Sequence, residues 1–223
     1  MNAKLFFEAL IKYLLGVLIV GVLIFLPAGS LKYYNGWLLM GVLFIPMFVA
    51  GIVMMIKNPE LLKSRLDAKE KQKSQGIVIK LSGLMFIGGF VVAGLDYRFT
   101  WLQMPFWLSI VFACIMVLSY LIWAEVLREN TYLSRTIKVE ENQKLVDTGL
   151  YGIVRHPMYL ASILLFLSMP LILGSLFSFF VFLIYPILII IRIIYEEKLL
   201  VNELEGYEDY KKKVKYRLIP FIW

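Results

Sequence analysis

One histidine and one cysteine in 223 residues remove several kinds of chemistry at the outset. Cys114 has no second cysteine to pair with inside the chain, so no intrachain disulfide framework exists, and it says little about redox compartment. His156 and Cys114 cannot together build a His/Cys zinc site, so no metal centre is expected. No glycine-rich dinucleotide fingerprint follows a strand, and no phosphate-binding P-loop occurs. A nucleotide-like ligand would therefore have to be held by helix ends and polar segments.

What the chain has in excess is apolar residues, 61% against roughly 45–50% for a soluble domain. That surplus is too large for an ordinary core and predicts an all-α, polytopic membrane helix bundle. The length allows about six spans of ~20 residues. Apolar runs place helices near 5–26, 36–56, 77–96, 105–127, 157–173 and 177–195. Pro27-Ala28-Gly29-Ser30 is a poor cleavage site, so the first helix is expected to be retained. Small residues such as Gly89 and Ala93, four apart, allow close helix packing in lipid. Gly174-Ser175 leaves only a tight turn between the last two spans, which predicts a helical hairpin.

The net charge of +7 is placed asymmetrically. Segment 57–80 carries Lys57, Lys63, Arg65, Lys69, Lys71, Lys73 and Lys80. Segment 124–156 carries Arg128, Arg135, Lys138, Lys144 and Arg155. The tail carries Lys198, Lys211, Lys212, Lys213, Lys215 and Arg217, whereas the alternate loops hold only Lys32 and Arg98. Six crossings put the three basic segments and both termini on one side, which the positive-inside rule assigns to the cytoplasm. The 57–80 loop either attracts anionic headgroups or simply sets topology. Membrane lipids, and no nucleic acid, are the expected partners of this charge.

Polar residues collect in the second half. Two regions follow: 1–128, the N-terminal transmembrane helices, and 129–223, which carries the chemistry. In "GLYGIVRHPMYL" (149–160), Pro157 suits a first helical turn, where its missing N–H is no loss. Arg155 and His156 then sit at a helix N-terminus, which favours anions. Two readings stand: an anion-holding pair, or an interfacial arginine snorkelling to headgroups beside a helix-starting proline. Glu196-Glu197 lie at the C-terminal end of the last span, where the dipole and the membrane both disfavour them. Helical neighbours point about 100° apart, so only one can face a given spot. The other meets Lys198, Arg192 or water, and an Arg192–Glu196 salt bridge is the plain alternative to function. The tail is expected to form an amphipathic helix over about 197–214 on the membrane surface, followed by the apolar "RLIPFIW". Its ending is not a prenylation box, so the chain is not expected to be prenylated itself.

In order, "LVDTGLYGIVRHPMYL", "EEKLL" and "GYEDYKKKVKYRLIPFI" resemble the membrane isoprenylcysteine carboxyl methyltransferase family, and phospholipid N-methyltransferases share part of the pattern. The resemblance covers roughly residues 130–223 and departs at Leu150, where the family often has proline. It implies S-adenosyl-L-methionine as methyl donor, bound in a cytoplasm-facing pocket built by the C-terminal half, and a lipidic or prenylated acceptor entering from the bilayer. Carried over by motif, it implies that Leu145, Val146, Gly149 and Tyr151 line the cofactor, that His156 and Tyr159 contact it, and that Glu197 helps hold its polar end. Arg155 and Glu196 would stand at the transfer site. A carboxylate acceptor needs Arg155 to position it, whereas an amine acceptor needs a proton removed, which Glu196 can do. Sterol reductases with a related membrane fold use another cofactor, so a reductase or a non-catalytic lipid-binding protein are the competing classes.

Overall fold

The structure is a computed structural model that describes residues 3–66, 73–102, 104–130, 132 and 143–223, with the side chains of 73–75 excepted. Lys69, Lys71, Arg135 and Lys138, counted above for topology, lie outside the described residues. All regular structure among the described residues is helical: α1 (Ala3–Ala28), α2 (Tyr34–Lys57), α3 (Pro59–Leu66), α4 (Lys73–Phe99), α5 (Phe106–Glu129), a 3₁₀ turn (Gly149–Gly152), α6 (Pro157–Ile172), α7 (Leu176–Phe182), α8 (Ile184–Glu203) and α9 (Tyr207–Lys213).

Among the described residues, five helical stretches are long and apolar enough to cross a membrane: α1, α2, residues 76–99 of α4, α5, and α7 with α8 together. The sequence predicted about six. The difference is α6, whose 16 residues rise roughly 24 Å against a hydrocarbon core of about 30 Å. α6 nonetheless runs antiparallel to α5, its most extensive neighbour, from the Glu129 end of that helix to the Ser109 end. Its short reach is matched by how it ends. The last carbonyls of a helix have no intrahelical donor. Here Ser109 Oγ donates to Leu171 O at 3.3 Å, Asn35 Nδ2 to Ile172 O at 2.9 Å and Tyr33 Oη to Leu173 O at 2.5 Å. Three side chains from α5, α2 and the loop before α2 thus cap α6 inside the protein.

The last span is not the single helix expected over 177–195. It divides at Leu183 into α7 and α8. Pro186 lacks an N–H, and its ring opposes the carbonyl of residue 182, so the helix restarts with Pro186 in its first turn. Gly174, at φ +74°, makes the predicted tight turn between α6 and α7. In α4, a Cβ on Gly94 would press on the backbone of α1 at Ile24 and Ala28, and one on Gly89 would overlap the Phe182 ring of α7. These small residues set helix separation, as in lipid-embedded bundles generally.

The tail helix is shorter than the predicted 197–214. Residues 197–203 continue α8, and Gly206 at φ +80° turns the chain into α9. Nor does α9 simply lie on a surface. Tyr207 and Tyr210 are buried with Leu204 and Val214, packed by Leu145, Leu200 and Val201. At the same end, Leu62 of α3 packs with Leu5 and Met55. The described parts of the basic segments, with α3 and the tail, therefore gather at one end of the bundle, here called the basic end.

Candidate active site

The basic end contains a cleft open to solvent, with a cavity volume of about 90 Å³. One wall is apolar and aromatic: Leu145, Val146, Leu200, Leu204, Tyr207 and Tyr210. The other carries Arg155, His156, Tyr159, Arg192 and Glu196, with Asn130 and Lys144 at the rim.

The polar wall is organised by one buried carboxylate. Glu197 is 5% exposed. Its Oε1 accepts from Arg155 Nε at 2.7 Å and lies 3.3 Å from His156 Nε2; its Oε2 accepts from Arg217 Nε at 2.9 Å. Arg155 Nη1 donates further to the carbonyls of Val214 and Lys215, at 2.7 and 3.1 Å. The backbone repeats the tie, since Arg155 N and His156 N donate to Tyr216 O and Arg217 O at 2.9 and 2.8 Å. The N-terminal amides of Arg155 and His156, expected to attract an anion, are thus committed to the tail. What remains of Arg155 is Nη2, which makes no hydrogen bond among the described residues while the side chain lines the cleft.

Glu196, one residue earlier, faces the cleft. Its Oε2 accepts from Tyr159 Oη at 2.5 Å, and Tyr159 Oη accepts from Arg192 Nε at 2.9 Å. The 100° step between helical neighbours thus separates the two glutamates: one organises Arg155 from behind, the other stands on the wall. Arg192, expected as a salt-bridge partner of Glu196, reaches it through the tyrosine hydroxyl.

The 3₁₀ turn forms the remaining support. Gly149 has φ +56°, and a Cβ there would overlap the Glu129 carboxylate. That carboxylate accepts from Leu150 N with both oxygens, at 3.1 and 3.0 Å. Tyr151 is pinned twice: its hydroxyl accepts from Asn130 Nδ2 at 3.2 Å, and its carbonyl from Tyr210 Oη at 2.7 Å. Burial holds the Tyr151 hydroxyl well above the usual phenol range, so it stays protonated. Outside, Lys213 Nζ pairs with Asp147 Oδ2 at 2.8 Å and lowers the Asp147 carboxyl below its ordinary value.

Of the residues singled out from sequence, Leu145, Val146, Tyr151, Arg155, His156, Tyr159 and Glu196 meet on the cleft wall. Gly149 and Glu197 do not lie on it: the first admits Glu129, and the second sits behind Arg155. Sequence reasoning gave no role in the site to Glu129, Asn130 and Arg217. Asn130 opened a polar segment, and Arg217 entered only as one of the basic residues of the tail. Tyr207 and Tyr210 were visible in "GYEDY" but were read as tail surface.

The fold is that of a multi-pass helical membrane protein, with a polar and aromatic cleft at one end. Residues 108–205, covering α5 through α8, match the family model described as phospholipid methyltransferase, which marks a membrane-methyltransferase-like region. The chain is also similar to the Delta(14)-sterol reductase of Mus musculus, with 31% identity over 91 residues, 40% of this chain and 22% of that protein. The chain thus spans about a fifth of the length of that relative.

Proposed function

We propose that this protein is an integral membrane methyltransferase that uses S-adenosyl-L-methionine and acts on a lipidic acceptor. The carrying observation is the cleft itself, where Arg155, Glu196 and an apolar-aromatic wall meet, most of its lining within the region matched by the methyltransferase family model and Tyr207 and Tyr210 just beyond it. The residues present suit the cofactor: Leu145, Val146, Leu200, Leu204 and Tyr210 offer a surface for a flat ring, and Glu196 offers a carboxylate to a cation. Bound there, S-adenosylmethionine supplies a methyl group on a cationic sulfur.

The chain's own residues do the rest. Glu197 and the carbonyls of 214 and 215 fix the Arg155 fork with one end toward the cleft, ready to position an anionic oxygen. Transfer requires acceptor and methyl carbon about 3–3.5 Å apart and aligned. A carboxylate is already nucleophilic, so positioning and exclusion of water suffice. The favoured acceptor is therefore the carboxylate of a prenylated cysteine or a similar lipidated acid. The name of the matching family supports a second acceptor, a phospholipid or hydrophobic amine, for which Glu196 would accept the proton. By the positive-inside rule the basic end, both termini and the site face the cytoplasm.

Methyl transfer from labelled S-adenosylmethionine to S-farnesylcysteine and phosphatidylethanolamine acceptors tests this reading. Base-labile ester is the expected product, and stable N-methyl label would select the second acceptor. The similarity to a sterol reductase supplies a rival. Thermal stabilisation by NADPH, with none by S-adenosylhomocysteine, would replace the methyltransferase reading by that one.

A further inference from the structure

Two tyrosines of α9 stand side by side on the cleft wall and are both buried, Tyr207 to 3% and Tyr210 to 4% exposure. Their rings lie 5.6 Å apart. Only one hydroxyl is satisfied. Tyr210 Oη donates to Tyr151 O, whereas Tyr207 Oη is buried and has no hydrogen-bond partner among the described residues. A buried orphan hydroxyl costs free energy that a phenylalanine would not, so it needs an explanation. Packing supplies none, because the ring alone would fill the space among Leu204, Val214 and Leu200.

The position of the hydroxyl narrows what would satisfy it. Burial, and then the charges of Glu197 and Glu196, raise Tyr207 far above the usual phenol range, so the group is a fixed donor at neutral pH. Those same carboxylates disfavour an anionic acceptor beside it. The adjoining wall is Leu145, Leu200, Leu204 and Tyr210, suited to the face of a planar ring. We propose that Tyr207 Oη donates a hydrogen bond to a neutral nitrogen or oxygen acceptor on the nucleoside part of the ligand, making Tyr207 the residue that selects an adenosyl compound in this cleft. The proposal rests on the S-adenosylmethionine reading above and adds the residue that reads its nucleoside, a task no fingerprint motif performs in this chain.

The test is Tyr207→Phe, which keeps the ring and deletes the donor. Binding of S-adenosylhomocysteine and of 5′-methylthioadenosine, which lacks the amino-acid part, is measured by calorimetry on purified full-length protein. Thermal unfolding without ligand is measured alongside. The proposal expects opposite signs: an unfolding midpoint equal to or above that of the wild type, with affinity for both ligands about tenfold weaker. Unchanged affinity for both overturns it, as does a loss confined to S-adenosylhomocysteine, which would move the acceptor to the amino-acid part. A lowered midpoint without ligand also overturns it, since the hydroxyl would then be satisfied in the free protein. Failure of the wild type to bind either ligand removes the methyltransferase reading, and this proposal with it. Wild-type binding that Tyr207→Phe leaves intact removes this proposal alone.

Discussion

Each end of the bundle buries a carboxylate, and the two are used differently. At the end opposite the cleft, Asp96 of α4 is 3% exposed and accepts from Ser175 Oγ at 2.5 Å and Leu102 N at 3.1 Å. Ser175 is the N-cap of α7, so Asp96 organises a helix start, while Tyr33, Asn35 and Ser109 finish α6 nearby. Donors and acceptors there are the loose ends of helices, satisfied by side chains from distant parts of the chain. At the basic end, Glu197 gathers two guanidiniums and an imidazole, and those groups turn a remaining donor toward a cleft. Burial of a charge in a membrane bundle is therefore no mark of a site by itself. Surplus capacity beside a cavity is a better mark: Arg155 Nη2 and the Tyr207 hydroxyl are without partners among the described residues, whereas the donors around Asp96 are used on helix ends.

The largest effect expected from that contrast is at Arg155. Arg155→Ala should lower methyl transfer by about 10²-fold or more, as loss of a preorganised charge at a reacting oxygen does. Near-normal turnover in the labelled-methyl assay would equate Arg155 with Asp96, a structural group. Glu197 tests the same knot through stability. Glu197→Gln leaves Arg155 and Arg217 without their buried counter-charge, and breaking a buried pair costs about 3–5 kcal/mol. A fall in unfolding free energy of under about 1 kcal/mol in denaturant titration would show that water or the tail carbonyls suffice.

Asp96→Ala should cost about 1–3 kcal/mol by orphaning the Ser175 hydroxyl and the Leu102 amide, with S-adenosylhomocysteine affinity unchanged. A change in affinity would mean that the two ends communicate. The sequence disclosed these ends unequally. Apolar runs placed every long helix, and the charge count placed the basic segments together, because both signals are local. The α6 cap was illegible: Tyr33 and Asn35 meet residues 173 and 172 across more than a hundred positions of chain. The division of Glu196 from Glu197 followed from helical geometry, but which of them faces Arg155 depended on the tail. Gly206 lay in view, yet its left-handed turn shows only in the backbone.

A smaller effect separates the support of the cleft from its wall. Gly149→Ala forces a side chain onto a left-handed residue and against the Glu129 carboxylate, at a cost of about 1–3 kcal/mol. Gly152→Ala, three residues on, meets only Asp147 O at ordinary contact distance and should be close to neutral. Equal effects of the two in thermal unfolding would mean that the turn is not held by Glu129.

The slightest effect belongs to the outermost tie, Lys213 with Asp147, which joins α9 to the segment carrying Leu145 and Val146. The folded protein holds the Asp147 carboxyl below its ordinary value, first through the hydrogen bond from Lys213 and then through its charge. A depressed carboxylate stabilises the fold above its unfolded-state pKa of about 4, and loses that contribution as pH falls through the lower folded value. Because both side chains are exposed, salt and solvent screen the pair, and its contribution is small. Lys213→Met should therefore lower the unfolding midpoint slightly at pH 7, and the difference from wild type should shrink as the pH falls below about 4 and as salt is raised. Glu197 is enclosed by Arg155, His156 and Arg217, so its ties should resist salt that erases the Lys213 effect. Equal salt sensitivity of Glu197→Gln and Lys213→Met would mean that the knot behind Arg155 is as wet as the rim.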